Sequence, residues 1–172
     1  MDWQMLTLVG EDQPGIVAQV TDSLYQGGFN LGETSMIRLG GNFTIMMMVS
    51  GPLGCDGLIL RLAPVAERLG LKVHLDPIRG GLHRHRAPNF QVRVNGADQA
   101  GIVARVTGLL AQCGFNILEL ESDVVGSKDR PVYIMTIQGY AESTLEDLEQ
   151  AMDQLHQQEI DVHVSSIETL IG

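Results

Sequence analysis

Apolar residues recur along the chain with two periods, the two-residue period of a strand and the 3.6-residue period of a helix. Residues 3–10, WQMLTLVG, form a short apolar run that ends in glycine, which is typical of a strand. Residues 16–24 carry apolar side chains at helical spacing after Pro14, which suits a first helical position, and glycines follow at 27 and 28. The chain is therefore predicted to open with a strand and a helix.

Two further strands, a second helix and a last strand follow. Residues 29–50 predict a pair of strands around Gly40 and Gly41, since a glycine pair is typical of a hairpin turn. Residues 53–69 predict a helix, and Pro64 is expected to kink or split it because proline removes an interior hydrogen bond. Residues 71–77 close this half of the chain as a strand.

The second half of the chain repeats the first. Between residues 12–33 and 98–119, fourteen positions are identical, which is more than shared secondary structure requires. The repeated order predicts an α+β fold of two tandem ferredoxin-like βαββαβ domains, each an antiparallel sheet with its helices on one face. The repeated elements are predicted at residues 90–96, 102–113, 116–125, 131–139, 144–158 and 160–168. We expect domain 1 at residues 1–78, a linker at 79–88 and domain 2 at 89–172.

The strand near residues 42–50 is apolar on both of its faces. Phe43, Ile45 and Met47 alternate with Met46 and Met48. This pattern favours a central strand whose second face packs on another sheet or subunit. A ligand groove lined by the adaptable methionines is the alternative.

The predicted linker belongs to the basic segment IRGGLHRHRAP, residues 78–88. Its arginines, Arg79, Arg84 and Arg86, permit the hypothesis of a nucleic-acid-binding tail, and His83 and His85 permit that of a metal site. Glycine and proline bound the segment, and the histidines have no carboxylate or cysteine beside them. A solvated linker is therefore favoured.

Charge and composition narrow the classes of function. The chain has 11 basic against 21 acidic residues, a net charge of −10, and no Lys or Arg after Arg130. Such a surface repels a phosphate backbone, so we predict no direct nucleic-acid binding. The chain has no run of 18 apolar residues and no signal-like leader, so we expect a cytoplasmic protein without membrane contact. Cys55 and Cys113 are predicted to be buried thiols, and no metal or cofactor is expected.

The start of the first helix in each half carries the candidate chemistry. Its free N–H groups and the positive end of the helix dipole attract anions. Gly15 lets a carboxylate approach the backbone, Asp12 can cap the helix or meet an ammonium, and the amide of Asn30 both donates and accepts. A free amino acid needs both kinds of partner. The alternative is that Asp12 only caps the helix, Gly15 only permits the turn and Asn30 only ends a loop. The second half repeats these residues as Asp98, Gly101 and Asn116.

The repeated stretches GEDQPGIVAQVTDSLYQGGFNL and GADQAGIVARVTGLLAQCGFNI resemble the opening of an ACT domain, a small regulatory module that typically senses amino acids. The shared signature is Asp-x-Pro-Gly-Ile-Val followed by Gly-x-Asn, and Ala100 departs from it in the second copy, which loosens that turn. In this family the ligand lies between paired domains, at the first strand-to-helix turn of one and the start of the second strand. The ligand-binding residues that the resemblance implies are Gly10, Asp12, Pro14, Gly15, Ile16 and Asn30, and in the second copy Gly96, Asp98, Gly101, Ile102 and Asn116.

Two tandem ACT domains in a chain of this length are similar to the glycine cleavage system transcriptional repressor family of bacteria. The resemblance implies a non-enzymatic regulator that binds a small amino acid such as glycine, acts through a DNA-binding protein partner and forms a homodimer. One alternative is an ACT module related to formyltetrahydrofolate deformylase without its catalytic domain, and another is an interaction protein without a ligand. Ser23, Ser35 and Ser50 are interpreted as surface positions, and no nucleophile with an evident base is found.

Overall fold

The structure, a computed structural model, describes residues 3–78, 86–97, 101–127, 130–156 and 160–167. The chain divides into two compact units, unit 1 at Met1–Arg84 and unit 2 at His85–Gly172. Within the described residues, each unit has the order strand, helix, strand, strand, helix and strand. The predicted α+β fold of two tandem ferredoxin-like domains is confirmed.

Each unit forms one antiparallel sheet. Unit 1 contains β1 (Gln4–Glu11), α1 (Ile16–Gln26), β2 (Asn30–Leu39), β3 (Asn42–Ser50), α2 (Gly54–Leu69) and β4 (Lys72–Pro77). Unit 2 contains β5 (Phe90–Ala97), α3 (Ile102–Gln112), β6 (Asn116–Ser127), β7 (Arg130–Tyr140), α4 (Leu145–His156) and β8 (Ile160–Ser166). The strand order is β2-β3-β1-β4 in unit 1 and β6-β7-β5-β8 in unit 2. The first and third strands of each unit are therefore central, and the second and fourth lie at the edges.

The core of each unit lies between the sheet and its two helices. In unit 1 the buried cluster joins Leu8 of β1 and Ile45 of β3 to Val20 of α1 and Leu62 of α2. Unit 2 has an equivalent cluster. Burial of each such side chain contributes about 1.5–3 kcal/mol, and because strand side chains alternate between faces, this burial also specifies the register.

The hairpin of unit 1 has the turn that the sequence predicts. Gly40 and Gly41 join β2 to β3 with φ of 57° and 77°, as a two-residue hairpin turn of this twist requires. This short turn holds β2 and β3 in the register that pairs Arg38 with Phe43.

Helix α2 runs from Gly54 to Leu69, so of the two predicted effects of Pro64 the split is wrong, and the kink stays a prediction. Proline at this position removes the hydrogen bond that an N–H would donate to the carbonyl of Leu60. Both residues are exposed, and the side chain of Leu60 is 75% exposed. The helix tolerates the proline because the carbonyl that loses its partner lies on the solvent side, where water can donate to it.

The second helices of the two units begin differently. Before α4, the hydroxyl and the N–H of Thr144 donate to Oδ2 of Asp147 at 2.6 and 3.0 Å, and the N–H of Asp147 donates to Thr144 Oγ1 at 3.2 Å. This reciprocal pair is a capping box. The hydroxyl of Thr144, followed by its N–H, holds the pKa of Asp147 below its ordinary value. Helix α2 follows Leu53, which makes no capping hydrogen bond.

Strand β3 is central, as predicted. Away from the helices, Met48 is buried and the Trp3 ring lies beside it over Gly32, whereas Met46 is 44% exposed. The packing of this face on another sheet or subunit stays a prediction.

Three polar or sulfur-containing side chains differ from their predicted burial. Ser50 is only 3% exposed, because it ends the central strand β3 and pairs there with Asn30 of β2, so its predicted surface position is wrong. Cys55 and Cys113 are free thiols that are half-buried, rather than buried as predicted.

The predicted linker lies mostly outside the described residues. Residues 79–85, with two of its arginines and both histidines, belong to that part, and so do the nucleic-acid and metal hypotheses for them. Arg86 places its guanidinium carbon 4.4 Å from the centroid of the Tyr140 ring, a cation–π contact within unit 2. Among the helices of the described residues, none is long and apolar enough to cross a bilayer.

Candidate ligand-binding site

The turn between β1 and α1 is built around a left-handed glycine. Gly15 is the N-cap of α1 with a φ of 87°, and its carbonyl accepts a hydrogen bond from the N–H of Gln19 at 3.1 Å. No side chain caps α1, so the capping predicted for Asp12 is wrong. Pro14 precedes the N-cap, so its predicted place at the first helical position is also wrong. Both differences arise because Gly15 occupies the N-cap position itself.

Two hydrogen bonds hold this turn against the rest of unit 1. The N–H of Asp12 donates to the carbonyl oxygen of Gly41 in the hairpin turn at 3.1 Å. Nε2 of Gln13 donates to the carbonyl oxygen of Leu69 at the end of α2 at 3.0 Å. The turn is therefore held by one backbone and one side-chain hydrogen bond within unit 1.

A pocket of 320 Å³ opens at this turn. That volume lies within the range of small-ligand pockets, about 300–1,000 Å³. The first turn of α1 forms part of the wall, and N–H groups at a helix start have no acceptor within the helix. The lining residues are Asp12, Gln13, Gly15, Ile16, Val17, Ala18, Met36 and Phe43. The pocket thus combines one carboxylate, backbone donors and an apolar wall.

The carboxylate of this pocket is paired with a cation. Oδ2 of Asp12 lies 2.6 Å from Nη2 of Arg38, and the two side chains are 27% and 69% exposed. Arg38 stands near the end of β2 and pairs with Phe43 of β3, which in turn pairs with Gly10 of β1. The register of the sheet therefore brings Arg38 to a turn that lies two strands away.

Of two further residues that the sequence assigns to the site, Asn30 lies far from the turn, whereas Gly10 lies beside Phe43 in the sheet. Asn30 pairs with Ser50 at one end of β3, and Asn42 stands eight residues away at the other end, beside the hairpin turn. Eight residues of a strand span about 26 Å. Gly10 packs against Leu71, since a Cβ there would lie 2.6 Å from Leu71 Cδ2. The structure therefore brings Asp12, Gly15 and Ile16 together but not Asn30, whose role in ligand binding stays a prediction.

The turn recurs in unit 2. Gly101 is the N-cap of α3 with a φ of 93°, and its carbonyl accepts from the N–H of Arg105 at 3.0 Å. Ile102 begins α3 and is buried, while Asn116 begins β6 and is exposed. Asp98 lies outside the described residues. The backbone of the second site therefore matches the first from Gly101 onwards.

The side chains around the second turn differ from those of unit 1. Gly96 pairs with Tyr133, and Tyr133 pairs with Val124. In this register Tyr133 takes the place of Phe43, and Val124 takes the place of Arg38. Unit 2 thus has an apolar side chain at the position where unit 1 has its cation.

The sequence pattern did not predict Arg38, Met36 and Phe43 as site residues. Each lies more than twenty residues from Asp12, and only the pairing of β1, β2 and β3 brings them to the turn. The signal that could have found them is the glycine pair at 40 and 41. A two-residue turn there pairs residue 38 with residue 43, and placing β1 beside β3 then completes the site.

The profile of the ACT domain family matches residues 5–76 and 89–165, one match in each unit. The chain belongs to the ACT domain family. Each ACT match contains the turn, the first helix and the hairpin strands described above. The domain limits at residues 78 and 89 stay a prediction, since the division of the chain falls between Arg84 and His85.

The chain is similar in sequence to two curated proteins. The glycine cleavage system transcriptional repressor of Escherichia coli (strain K12) is 29% identical over 119 residues. The match covers 69% of this chain and 63% of that protein, so the chain spans less than two thirds of the length of this relative. The glycine cleavage system transcriptional repressor of Shigella flexneri has the same identity and coverage.

Two solved structures share the fold of the whole ACT tandem. The crystal structure of an unknown protein from Galdieria sulphuraria has a TM-score of 0.77 at 20% identity and covers 97% of this chain and 99% of that chain. The crystal structure of a protein proposed to be a glycine cleavage system transcriptional repressor has a TM-score of 0.72 at 21% identity and covers 98% of both chains. At these identities the likeness concerns the fold alone.

Proposed function

We propose that this chain is a non-enzymatic regulator whose unit 1 binds a small amino acid. The observation that supports this most is the lining of the 320 Å³ pocket, which combines Asp12 with the first turn of α1. A carboxylate accepts hydrogen bonds from an ammonium, and the N–H groups of a helix start donate to a carboxylate. Glycine is the first ligand to test, because the curated relatives are named for the glycine cleavage system.

The regulator acts through a protein partner, in the transcriptional control of amino-acid metabolism such as glycine cleavage, and in the cytoplasm. A net charge of −10 and the absence of Lys and Arg after Arg130 oppose direct contact with DNA. The DNA-binding surface therefore belongs to the partner. A gel-shift assay with the chain alone at physiological salt is expected to show no retardation of promoter DNA. Retardation would refute the indirect mechanism.

Titration calorimetry with glycine, alanine, serine and valine tests the ligand. We expect saturable heat with at least one of them. Asp12→Asn is expected to weaken binding about tenfold or more, because a hydrogen bond to a charged group contributes about 1.5–3 kcal/mol. Asp22→Asn on α1, outside the pocket, is the matched control and should bind as the natural protein does. No heat with any of the four amino acids would contradict the proposal.

The regulator is further proposed to form a homodimer. Edge strand β2 exposes apolar side chains at Met36, Ile37 and Leu39, and an edge of this kind is open to pairing with another chain. Joint replacement of Ile37 and Leu39 by Lys is expected to give monomers in analytical ultracentrifugation. Leu60→Lys on α2, which removes an equally exposed apolar side chain from the helical surface, should leave the dimer intact. If the natural protein sediments as a monomer, the proposed homodimer is wrong.

A further inference from the structure

The ion pair between Arg38 and Asp12 lies at the pocket of unit 1, yet it stabilises the fold little. The side chain of Arg38 is 69% exposed, and water screens pairs of this kind strongly. We propose that Arg38 is a specificity-determining residue, which makes the pocket select ligands with an ammonium and a carboxylate close together, the α-amino acids, over simple amines. This inference rests on the proposed function, the binding of a small amino acid in unit 1.

Arg38 has donors available for a second anion. A guanidinium carries five N–H groups in a planar fork that matches the geometry of a carboxylate. Asp12 is the partner of Arg38 within the part of the chain that the structure describes, and their contact uses Nη2. These donors can bind a ligand carboxylate.

The ion pair can select between ligands because Asp12 and Arg38 already bind each other in the absence of a ligand. A simple amine that approaches Asp12 must compete with Arg38 and leaves the guanidinium without its anion. A simple carboxylate that binds Arg38 draws it from Asp12 in the same way. A ligand that carries an ammonium and a carboxylate on the same carbon gives Asp12 and Arg38 each a new partner, so the loss of their contact is offset.

Unit 2 provides the internal comparison. Val124 stands at the position of Arg38, and Tyr133 at that of Phe43. A valine has no donor for a carboxylate and no charge to hold an acidic side chain. Selective binding therefore belongs to unit 1, and the chain should bind one equivalent of amino acid with this preference.

Titration calorimetry with glycine and glycinamide tests the filter, because glycinamide keeps the ammonium and replaces the carboxylate with a neutral amide. The natural protein should bind glycine at one site per chain and glycinamide at least about tenfold more weakly, the effect of losing a hydrogen bond to a charged group. Arg38→Met should lose about tenfold or more in affinity for glycine, and its preference for glycine over glycinamide should disappear. Arg38→Lys, which keeps the charge without the fork, should fall between the two.

Lys72→Met is the matched control, since it removes the same charge from β4, at the opposite edge of the same sheet. It should leave both affinities unchanged. Thermal unfolding of Arg38→Met within a few degrees of the natural protein separates lost selectivity from lost folding.

Two results would overturn the inference in distinguishable ways. If the natural protein binds glycine and Arg38→Met binds it equally well or more tightly, Arg38 does not select the carboxylate, while the proposed function stands. If the natural protein binds neither glycine nor any other amino acid of the panel, the proposed function fails and this inference fails with it.

Discussion

The outer faces of the two sheets, which point away from the helices, carry different side chains at equivalent positions. Met5 of β1 pairs with Met48 of β3, whereas the corresponding pair in unit 2 is Gln91 of β5 with Gln138 of β7. The rows that face the helices are apolar in both units. The row of side chains that faces the helices is therefore apolar in both units, as this fold requires, whereas the outer row differs in polarity.

The turns before α1 and α3 also combine a shared feature with a divergent one. Gly15 and Gly101 adopt the same left-handed conformation, because both helices need the chain to turn in the same way. The equivalent position on the edge strand, two strands away from the strand that leads into the turn, is occupied by Arg38 in unit 1 and by Val124 in unit 2. The left-handed glycine is thus retained in both units, while the charge at this edge-strand position is present in unit 1 alone among the two.

Replacement of the buried Gly139 is expected to have the largest effect on stability. A Cβ at Gly139 would clash with the Phe115 ring and with the carbonyl oxygen of Asn116, a backbone atom that cannot turn aside. At Gly51 the three nearest atoms that such a Cβ would meet all belong to the Phe29 ring, which is a side chain and not backbone. We expect Gly139→Ala to cost about 3 kcal/mol in urea unfolding and Gly51→Ala about 1 kcal/mol.

The single tryptophan assigns these losses to their units. Trp3 lies over Gly32 in unit 1, so its fluorescence follows the unfolding of unit 1, while far-UV circular dichroism follows both units. Gly51→Ala should shift the fluorescence transition, and Gly139→Ala should shift a dichroism transition and leave the fluorescence in place. Equal shifts of both signals in Gly139→Ala would mean that the units unfold together.

Alanine at the left-handed N-caps is expected to have the next largest effect. Gly15→Ala and Gly101→Ala should each cost about 1–2 kcal/mol, because an L side chain is strained at positive φ. Gly108→Ala is the control, since this glycine lies inside α3 with open space around its Cβ position and ordinary φ. It should stabilise unit 2 by up to about 1 kcal/mol. Unequal losses at Gly15 and Gly101 would show that the two turns are not equivalent.

Removal of the capping box should have a smaller effect, confined to unit 2. Thr144→Ala is expected to cost about 1 kcal/mol in urea unfolding, because α4 loses a side-chain cap. Leu53→Ala at the corresponding position before α2 should change stability by less than about 0.5 kcal/mol, since Leu53 makes no capping bond. A comparable loss at Leu53 would contradict the contrast between the two helix starts.

The smallest expected effect is a dependence on pH below about 4. The folded-state pKa of Asp147 is lowered from 3.8 by its bonds from Thr144, so its stabilising contribution is present above 3.8 and is lost as the pH falls through the lowered value. The unfolding midpoints of the natural protein and of Asp147→Asn should therefore converge as the pH falls from 5 to 2. If the difference between the two midpoints grows as the pH falls, the pKa of Asp147 is not lowered in the folded state.

The hydrophobic pattern predicted the helices and strands to within a few residues, because the core uses that pattern directly. Leu62 of α2, for example, falls on the helical stripe that the sequence already shows. The start of α1 was predicted wrongly, since a left-handed glycine N-cap has no periodic signature and Asp12 resembles an ordinary capping residue. Arg38 could not be predicted from periodicity, because its contact with Asp12 spans 26 residues and depends on the pairing of three strands.

The two-glycine turn at Gly40 and Gly41 makes hairpin geometry a determinant of where Arg38 stands. A shift of β2 by one position against β3 would send Arg38 to the opposite face of the sheet. The fold could survive this change, because β2 is an edge strand with few buried side chains. The ion pair between Arg38 and Asp12 therefore depends on the register of an edge strand that the core of unit 1 does little to hold.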